Sequence, residues 1–431
     1  MLAFLGLLTI ILLLILVMGK MVSPVVALIV VPIVTALMGG FTAEILTFIT
    51  EGIKTISTTA VMFIFAILFF GILMDAGTFD PIISHLLKAA GNDPPRITVV
   101  TAILAMIVHL DGSGAVTFLV TIPALLPLYD ALNMRRTTLA TIVALSAGTM
   151  NILPWGGPTI RAATALEVQV TQLFNPLLVP ALCGLLTVLG IAYVLGMKER
   201  QYVRIPEVTS IETQTQAAAK TNSLARPKLL WFNILLIIIS IIVLISAWAP
   251  PHIIFMIAFA IAISINYPNL KDQRERIDAH AKAALLMASI LFAAGCFTGI
   301  LKGSGMIEAM ASSAVKVIPA FVGNHLALVT GLLSMPASLL FDPDSFYFGV
   351  LPLLGTTATH FGGESIEIGR AAILGQMTTG FPISPLTGAT FLLIGLTGVD
   401  LGEHQRKTIP LAFLVTMVML LFSLLLGVIS L

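Results

Sequence analysis

Three aspartates and one arginine stand inside long apolar stretches: Asp111, Asp342, Asp344 and Arg161. An ionisable side chain at membrane depth costs about 2.5–3.5 kcal/mol on insertion scales, so such residues are the first candidates for function. Asp111 lies in His109-Leu110-Asp111-Gly112-Ser113-Gly114, and Asp342 and Asp344 lie in Phe341-Asp342-Pro343-Asp344-Ser345. Backbone carbonyls in such Gly-, Pro- and Ser-rich tips lack helical partners. Set beside a carboxylate, with Ser113 to help, they make a hard-oxygen site for a proton, Na⁺ or a divalent metal. The competing reading has each aspartate merely capping the second arm of a hairpin. The matched placement of the two tips favours the functional one.

A second constellation is Gly148-Thr149-Met150-Asn151-Ile152-Leu153-Pro154-Trp155-Gly156-Gly157-Pro158-Thr159-Ile160-Arg161. Its crowded prolines and glycines predict a span broken near its centre. A half-helix restarting near Pro158-Thr159 points free N–H groups and a positive dipole end at the midplane, as an anionic group requires. Arg161 falls in its first turn, where it can clamp a carboxylate bidentately; the alternatives are snorkelling to the interface or pairing with Glu167. Asn151 and Thr159 offer neutral hydrogen bonds on either side of the break, and Gly156 and Gly157 let a ligand approach the backbone. The segment Thr378 to Thr390 has a similar break with more hydroxyls, so Ser384, Thr387, Gly388 and Thr390 join Ser345 as candidate substrate contacts. Leu392 stands where the first segment has Arg161.

Other residues carry weaker claims. His109 and His360 are possible proton relays or plain structural histidines. Trp155 either walls a cavity or packs, and Glu364, Glu367 and Arg370 read as an exterior charge cluster. Cys183 and Cys296 read as small buried hydrophobes. The sequence offers no nucleophile–base pair, phosphate loop or zinc-ligand spacing, so it does not read as an enzyme and calls for no cofactor.

The elements that must position these groups are membrane spans. Of 431 residues, 58% are hydrophobic and only 10% charged, against about 25% charged in soluble domains. A net charge of +1 gives no field for a polyanion. Cytosolic enzymes and nucleic-acid binders are thereby excluded, and the bilayer becomes the solvent. Runs near the required length of about 17–25 residues fall at 2–18, 24–40, 56–75, 137–170 and 173–196, then at 230–248, 251–266, 281–301, 367–397 and 408–430. The first reads as a span, since it lacks the basic start and cleavage site of a signal peptide. The apolar stretches 97–128 and 325–358, each interrupted at an aspartate tip, read as re-entrant hairpins with arms too short to cross.

Gly71-Ile72-Leu73 with Gly77 recurs 228 residues on as Gly299-Ile300-Leu301 with Gly305. Pro154, Gly157 and Thr159 recur 231 residues on as Pro385, Gly388 and Thr390, the interval that also separates Asp111 from Asp342. The predicted fold is an all-α polytopic membrane protein of two inverted-topology repeats of five spans each, each with a re-entrant hairpin and a broken helix. The repeats are 1–196 and 230–431, joined by a polar linker at 197–229 that reads as a flexible tether. Placing the linker in the cytoplasm puts most of the 22 lysines and arginines inside, Lys20, Arg135, Arg136, Arg204, Lys220 and Arg276 among them. Both termini are then external; hairpin 97–128 opens from the cytoplasm and 325–358 from outside.

At Ala147–Ala163, Leu340–Tyr347, Gly380–Thr390 and Asp400–Arg406 the sequence resembles the metal-citrate:proton symporter family (CitMHS) of the ion transporter superfamily. The resemblance covers essentially the whole chain except the linker. It implies uptake of citrate complexed to a divalent metal such as Mg²⁺ or Ca²⁺, carried as cargo with protons, and a homodimer working by elevator motion. Dicarboxylate relatives carry Ser-Asn-Thr at the hairpin tips. The aspartates here argue against a simple transfer of Na⁺ sites and fit proton coupling or contact with a carried metal.

The combined expectation is a multi-pass symporter of the cell membrane. Asn151, Gly156, Gly157, Thr159, Arg161, Ser345, Ser384, Thr387, Gly388 and Thr390 are expected to hold citrate, and Asp111, Ser113, Asp342 and Asp344 the metal or coupling ion. A cation/proton antiporter is the rival within the superfamily, disfavoured by Arg161, and a non-transporting receptor or scaffold is the rival outside it.

Overall fold

The computed structural model describes residues 1–19, 21–201, 224–246 and 248–430; the regular elements among them are all helical. Most of the expected linker, with Arg204 and Lys220, and also Lys20, lie outside the described residues. The first half contains α1 (Leu2–Met18), α2 (Pro24–Met38), α3 (Ile45–Asp75), α4 (Asp80–Ala90), α5 (Pro94–Val108), α6 (Gly114–Ala131), α7 (Arg136–Met150), α8 (Gly157–Leu166) and α9 (Val170–Arg200). The second contains α10 (Leu230–Ile245), α11 (Pro251–Asn266), α12 (Leu270–Gly303), α13 (Met306–Val317), α14 (Ala320–Asn324) and α15 (Leu326–Leu340). A wide turn at Ser345–Val350 then leads into α16 (Leu351–His360), α17 (Ser365–Ile373), α18 (Gly388–Thr397) and α19 (Leu401–Leu425).

Several helices outrun the apolar stretches that predict them, because caps and charged turns extend a helix into a polar zone where hydropathy is blind. α3 starts at Ile45 rather than 56, and Glu51 and Lys54 pair at 2.8 Å on its exposed face. α12 starts at Leu270 rather than 281, with the Asn269 side chain accepting the Lys271 N–H at 2.9 Å. α19 starts at Leu401 rather than 408, since Asp400 accepts the N–H groups of Gly402 and Glu403 at 2.8 and 3.2 Å. The short amphipathic helices α4 and α13, each following a long span, were not expected from apolar runs at all.

Among the described residues, seven helices are long and apolar enough to cross a membrane. Their outer faces are apolar: Leu186, Ile242, Leu285 and Leu425 are exposed, which suits a lipid solvent and would be a liability in water. Each arm of the first hairpin reaches 18 residues, 94–111 and 114–131, longer than the short arms expected.

Packing gathers the helices into two groups. α3 and α12 lie against each other along their length, flanked by α2 and α11, while α5, α6, α7 and α9 pack together and α15, α17 and α19 do likewise. The α3–α12 contact is close because glycines meet there: a Cβ at Gly52 would come within 2.8 Å of the Gly299 Cα.

Candidate functional site

The first break lies where α7 ends at Met150 and α8 restarts at Gly157, with Pro158 in its first turn. Gly156 is required there, since a Cβ would collide with the Asn151 carbonyl. Thr159 Oγ1 donates to the Ile152 carbonyl at 2.7 Å and staples the new helix to the loop. Trp155 both packs, stacking on Phe70, and anchors, donating from Nε1 to the Leu110 carbonyl of the first hairpin tip at 2.7 Å. The tip therefore abuts the break.

Arg161 makes the most consequential contact. Its Nε donates to Asp344 Oδ1 at 2.7 Å, joining the first broken helix to the second hairpin tip, and both residues are buried (8% and 6% exposed). Glu167, the partner considered from sequence, pairs instead with Lys302. Nearby, Asn151 Nδ2 donates to the Met377 carbonyl at 2.8 Å, a second link to the other half of the chain.

Met377 belongs to a kink that no proline or glycine at 376–377 announces. After α17 the backbone leaves helical geometry at Gln376 (ψ 112°) and Met377 (φ 51°). The freed groups find tertiary partners: the Gln376 carbonyl accepts Tyr347 OH at 2.7 Å, and the Met377 N–H donates to Ser338 Oγ at 2.8 Å. A left-handed, non-glycine backbone costs about 1–3 kcal/mol and persists where its surroundings over-determine it.

The loop that follows leads into α18 at Gly388. Its hydroxyls serve largely itself: Thr387 Oγ1 donates to the Phe381 carbonyl at 3.0 Å and meets Thr390 Oγ1 at 2.9 Å, while Ser384 Oγ accepts the Leu386 N–H at 3.2 Å. From α19, His404 Nε2 lies 3.0 Å from the Pro382 carbonyl, and Gln405 Nε2 donates to the Ile383 carbonyl at 2.9 Å. These two anchors escape a sequence search for site residues, since they act on backbone far along the chain.

A cavity of about 370 Å³ opens between the two halves, within the range of about 300–1,000 Å³ usual for ligand pockets. Asp111, Ser113, Asn151, Gly157, Arg161 and Thr387 line it, together with Trp155, Pro343, Met377, Phe381 and, unforeseen, His280. A neighbouring cavity of about 680 Å³ is lined by Asp342, Asp344, Thr387 and Gly388, and Pro343, Phe381 and Thr387 wall both. Ser345, Ser384, Thr159 and Thr390 are buried behind these walls, and Gly156 shapes the first break.

The tip aspartates also cap. Asp111 Oδ1 accepts the Ser113 N–H at 2.8 Å, and Asp342 Oδ1 accepts those of Asp344 and Ser345 at 3.0 and 3.1 Å. A carboxylate has a second oxygen, so capping leaves each with acceptor capacity. Among the described residues, no three His, Cys, Asp or Glu side chains gather closely enough to hold a metal ion. His109 is buried within its hairpin against Thr117, at 2.8 Å, and His360 pairs with Glu308. Arg370 donates to the Val428 and Gln172 carbonyls, and Glu367 accepts from Ser430.

A family model described as CitMHS, citrate transporter, matches residues 12–375. A citrate transporter of Bacillus subtilis (strain 168) is 45% identical over 430 residues, covering 100% of both chains. A Mg²⁺/citrate complex secondary transporter of the same organism is 42% identical over 432 residues, covering 100% of this chain and 99% of its own. In fold, the chain is similar to the crystal structure of the Alcanivorax borkumensis YdaH transporter, with a TM-score of 0.62, 14% identity and coverage of 91% of this chain and 88% of that one.

Proposed function

The chain belongs to the citrate transporter family CitMHS, and on that premise we propose that it is a secondary transporter of the cell membrane. Its cargo is citrate complexed to a divalent metal such as Mg²⁺ or Ca²⁺, taken up with protons. The observation that carries this reading is the buried Arg161–Asp344 pair at a cavity of substrate size. A citrate carboxylate matches the guanidinium bidentately and takes the place of Asp344 on Arg161. Asp344 is then released toward the metal or proton that arrives with citrate. One exchange of partners thus links anion binding to cation binding and leaves no buried charge unpaired.

In this reading Asn151, Gly157, Arg161 and Thr387 touch citrate, and Asp111, Ser113, Asp342 and Asp344 serve the metal or the coupling proton. Gly156, Thr159, Ser345, Ser384, Gly388 and Thr390 shape the breaks that present them. The metal travels as cargo, with citrate supplying the ligands that the side chains do not gather. The inverted repeat is supported by reciprocal contacts between α3 and α12, and the elevator motion by the two packing groups of helices. The family resemblance supports a homodimer, and the distribution of basic residues supports an internal linker with external termini.

The test is uptake of labelled citrate into proteoliposomes under an imposed pH gradient, with Mg²⁺, Ca²⁺ or chelator. Metal-dependent, gradient-stimulated citrate uptake is the expected result. A pH-driven cation flux without citrate identifies an antiporter, which a fixed positive charge in the cavity disfavours, and no flux at all identifies a receptor or scaffold.

A further inference from the structure

The α3–α12 crossing has two ends built from the same four positions. A shift of 228 residues carries Phe48, Gly52, Gly71 and Asp75 of α3 onto Arg276, His280, Gly299 and Gly303 of α12. Contacts follow that relation reciprocally: Phe48 lies on Gly303 where Asp75 meets Arg276, and Gly52 lies on Gly299 where Gly71 meets His280. One end is closed by a phenyl ring and three glycines. At the other, Asp75 Oδ2 accepts Arg276 Nη1 at 3.2 Å and pairs with His280 Nε2 at 2.9 Å. Since the first end packs without charge, packing does not explain the charges of the second.

Their location does. Gly71 and His280 line the central cavity along with Asp111 and Arg161, while the side chains of His280 and Asp75 remain 24% and 20% accessible. The pair thus touches the cavity and solvent together. With Nε2 bonded to the carboxylate, the ring's Nδ1 lies beside Gly71, where a Cβ would come within 2.6 Å; only glycine leaves the imidazole room. The charged and titratable groups around the ring are Asp75 from α3, Arg276 and Lys282 from its own helix, and Asp111 and Arg161 across the cavity. Arg226, stacked over Tyr267 at 4.8 Å, and Asp272 form a further layer around Asp75.

We propose that His280, held by Asp75 against Gly71, passes the coupling proton between the central cavity and the solution at that end of the molecule. The ring gains one proton on Nδ1 from the cavity, the Asp75 carboxylate holds the resulting imidazolium, and one proton then leaves to water, so the pair returns to its starting charge. This rests on the proton-coupled reading above.

Reconstituted protein gives two readouts: citrate uptake driven by a pH gradient, and exchange of external labelled for internal unlabelled citrate with Mg²⁺ at equal pH. His280→Gln is expected to keep exchange and to lose about a hundredfold of gradient-driven uptake, the scale of a positioned proton-transfer group. Asp75→Asn, which keeps the ring and removes its partner, is expected to displace the pH dependence of uptake while exchange continues, and it decides the matter should His280→Gln fail to reconstitute. Full gradient-driven uptake in His280→Gln, joint loss of exchange and uptake, or an unmoved pH profile in Asp75→Asn overturns the proposal. If the wild-type chain itself exchanges citrate but ignores the gradient, the proton coupling on which the proposal rests is what has failed.

Discussion

The two helix breaks meet across one cavity and are secured by opposite means. The first places a charge there: Arg161, in the opening turn of α8, reaches Asp344 in the other half of the chain. The second is secured by neutral hydrogen bonds. Its hydroxyls bond its own loop, and His404 and Gln405 hold two consecutive carbonyls from α19. At the position matching Arg161 it has Leu392, partly buried and packed among apolar residues around the first hairpin. The difference teaches that positive charge is supplied once, from one side, so a tricarboxylate has one strong anchor and a fixed orientation. The second break supplies shape.

The sharpest way to break that comparison is to remove its charge. Arg161→Ala strips a hydrogen-bonded partner from a buried pair, a change worth about 2–5 kcal/mol, and citrate uptake in proteoliposomes is expected to fall at least about thirtyfold. Asp344→Asn leaves Arg161 free for citrate but withdraws a carboxylate from the cation; uptake is expected to drop by about tenfold, or 1.4 kcal/mol, and to lose its dependence on Mg²⁺. Asp111→Asn keeps an oxygen for the Ser113 N–H, so the hairpin tip folds. The expected loss is confined to stimulation by the pH gradient, read by comparing gradient-driven uptake with exchange. Smallest of all is the second break: His404→Ala or Gln405→Ala removes one hydrogen bond of about 1 kcal/mol, expected as a severalfold rise in the KM for citrate with the maximal rate little changed. Should the last pair of variants prove as damaging as Arg161→Ala, the contrast between the breaks is wrong.

The first break was legible because its signals are local. Gly156, Gly157 and Pro158 cannot continue α7, and α8 restarts where they permit it. The kink at Gln376–Met377 was not legible, because neither residue disfavours a helix; it is imposed by Ser338, Tyr347 and Asn151 from elsewhere in the chain. Arg161 was picked out correctly as a buried cation, yet its partner is 183 residues away rather than at neighbouring Glu167. Apolar runs located the spans, and misjudged the starts of α3, α12 and α19, where caps and charged turns decide. His280 carried a signal that only comparison of the repeated segments exposes, since its counterpart is Gly52.

The central claim is that Arg161 is the citrate anchor and that Asp344 occupies it until citrate arrives. Calorimetric binding of Mg²⁺-citrate to the purified double variant Arg161→Gln/Asp344→Asn tests it most directly, because that variant leaves neither charge buried alone. The account predicts a folded protein that no longer binds citrate. Binding at wild-type affinity would contradict it, and would mean that the two side chains serve only to hold each other.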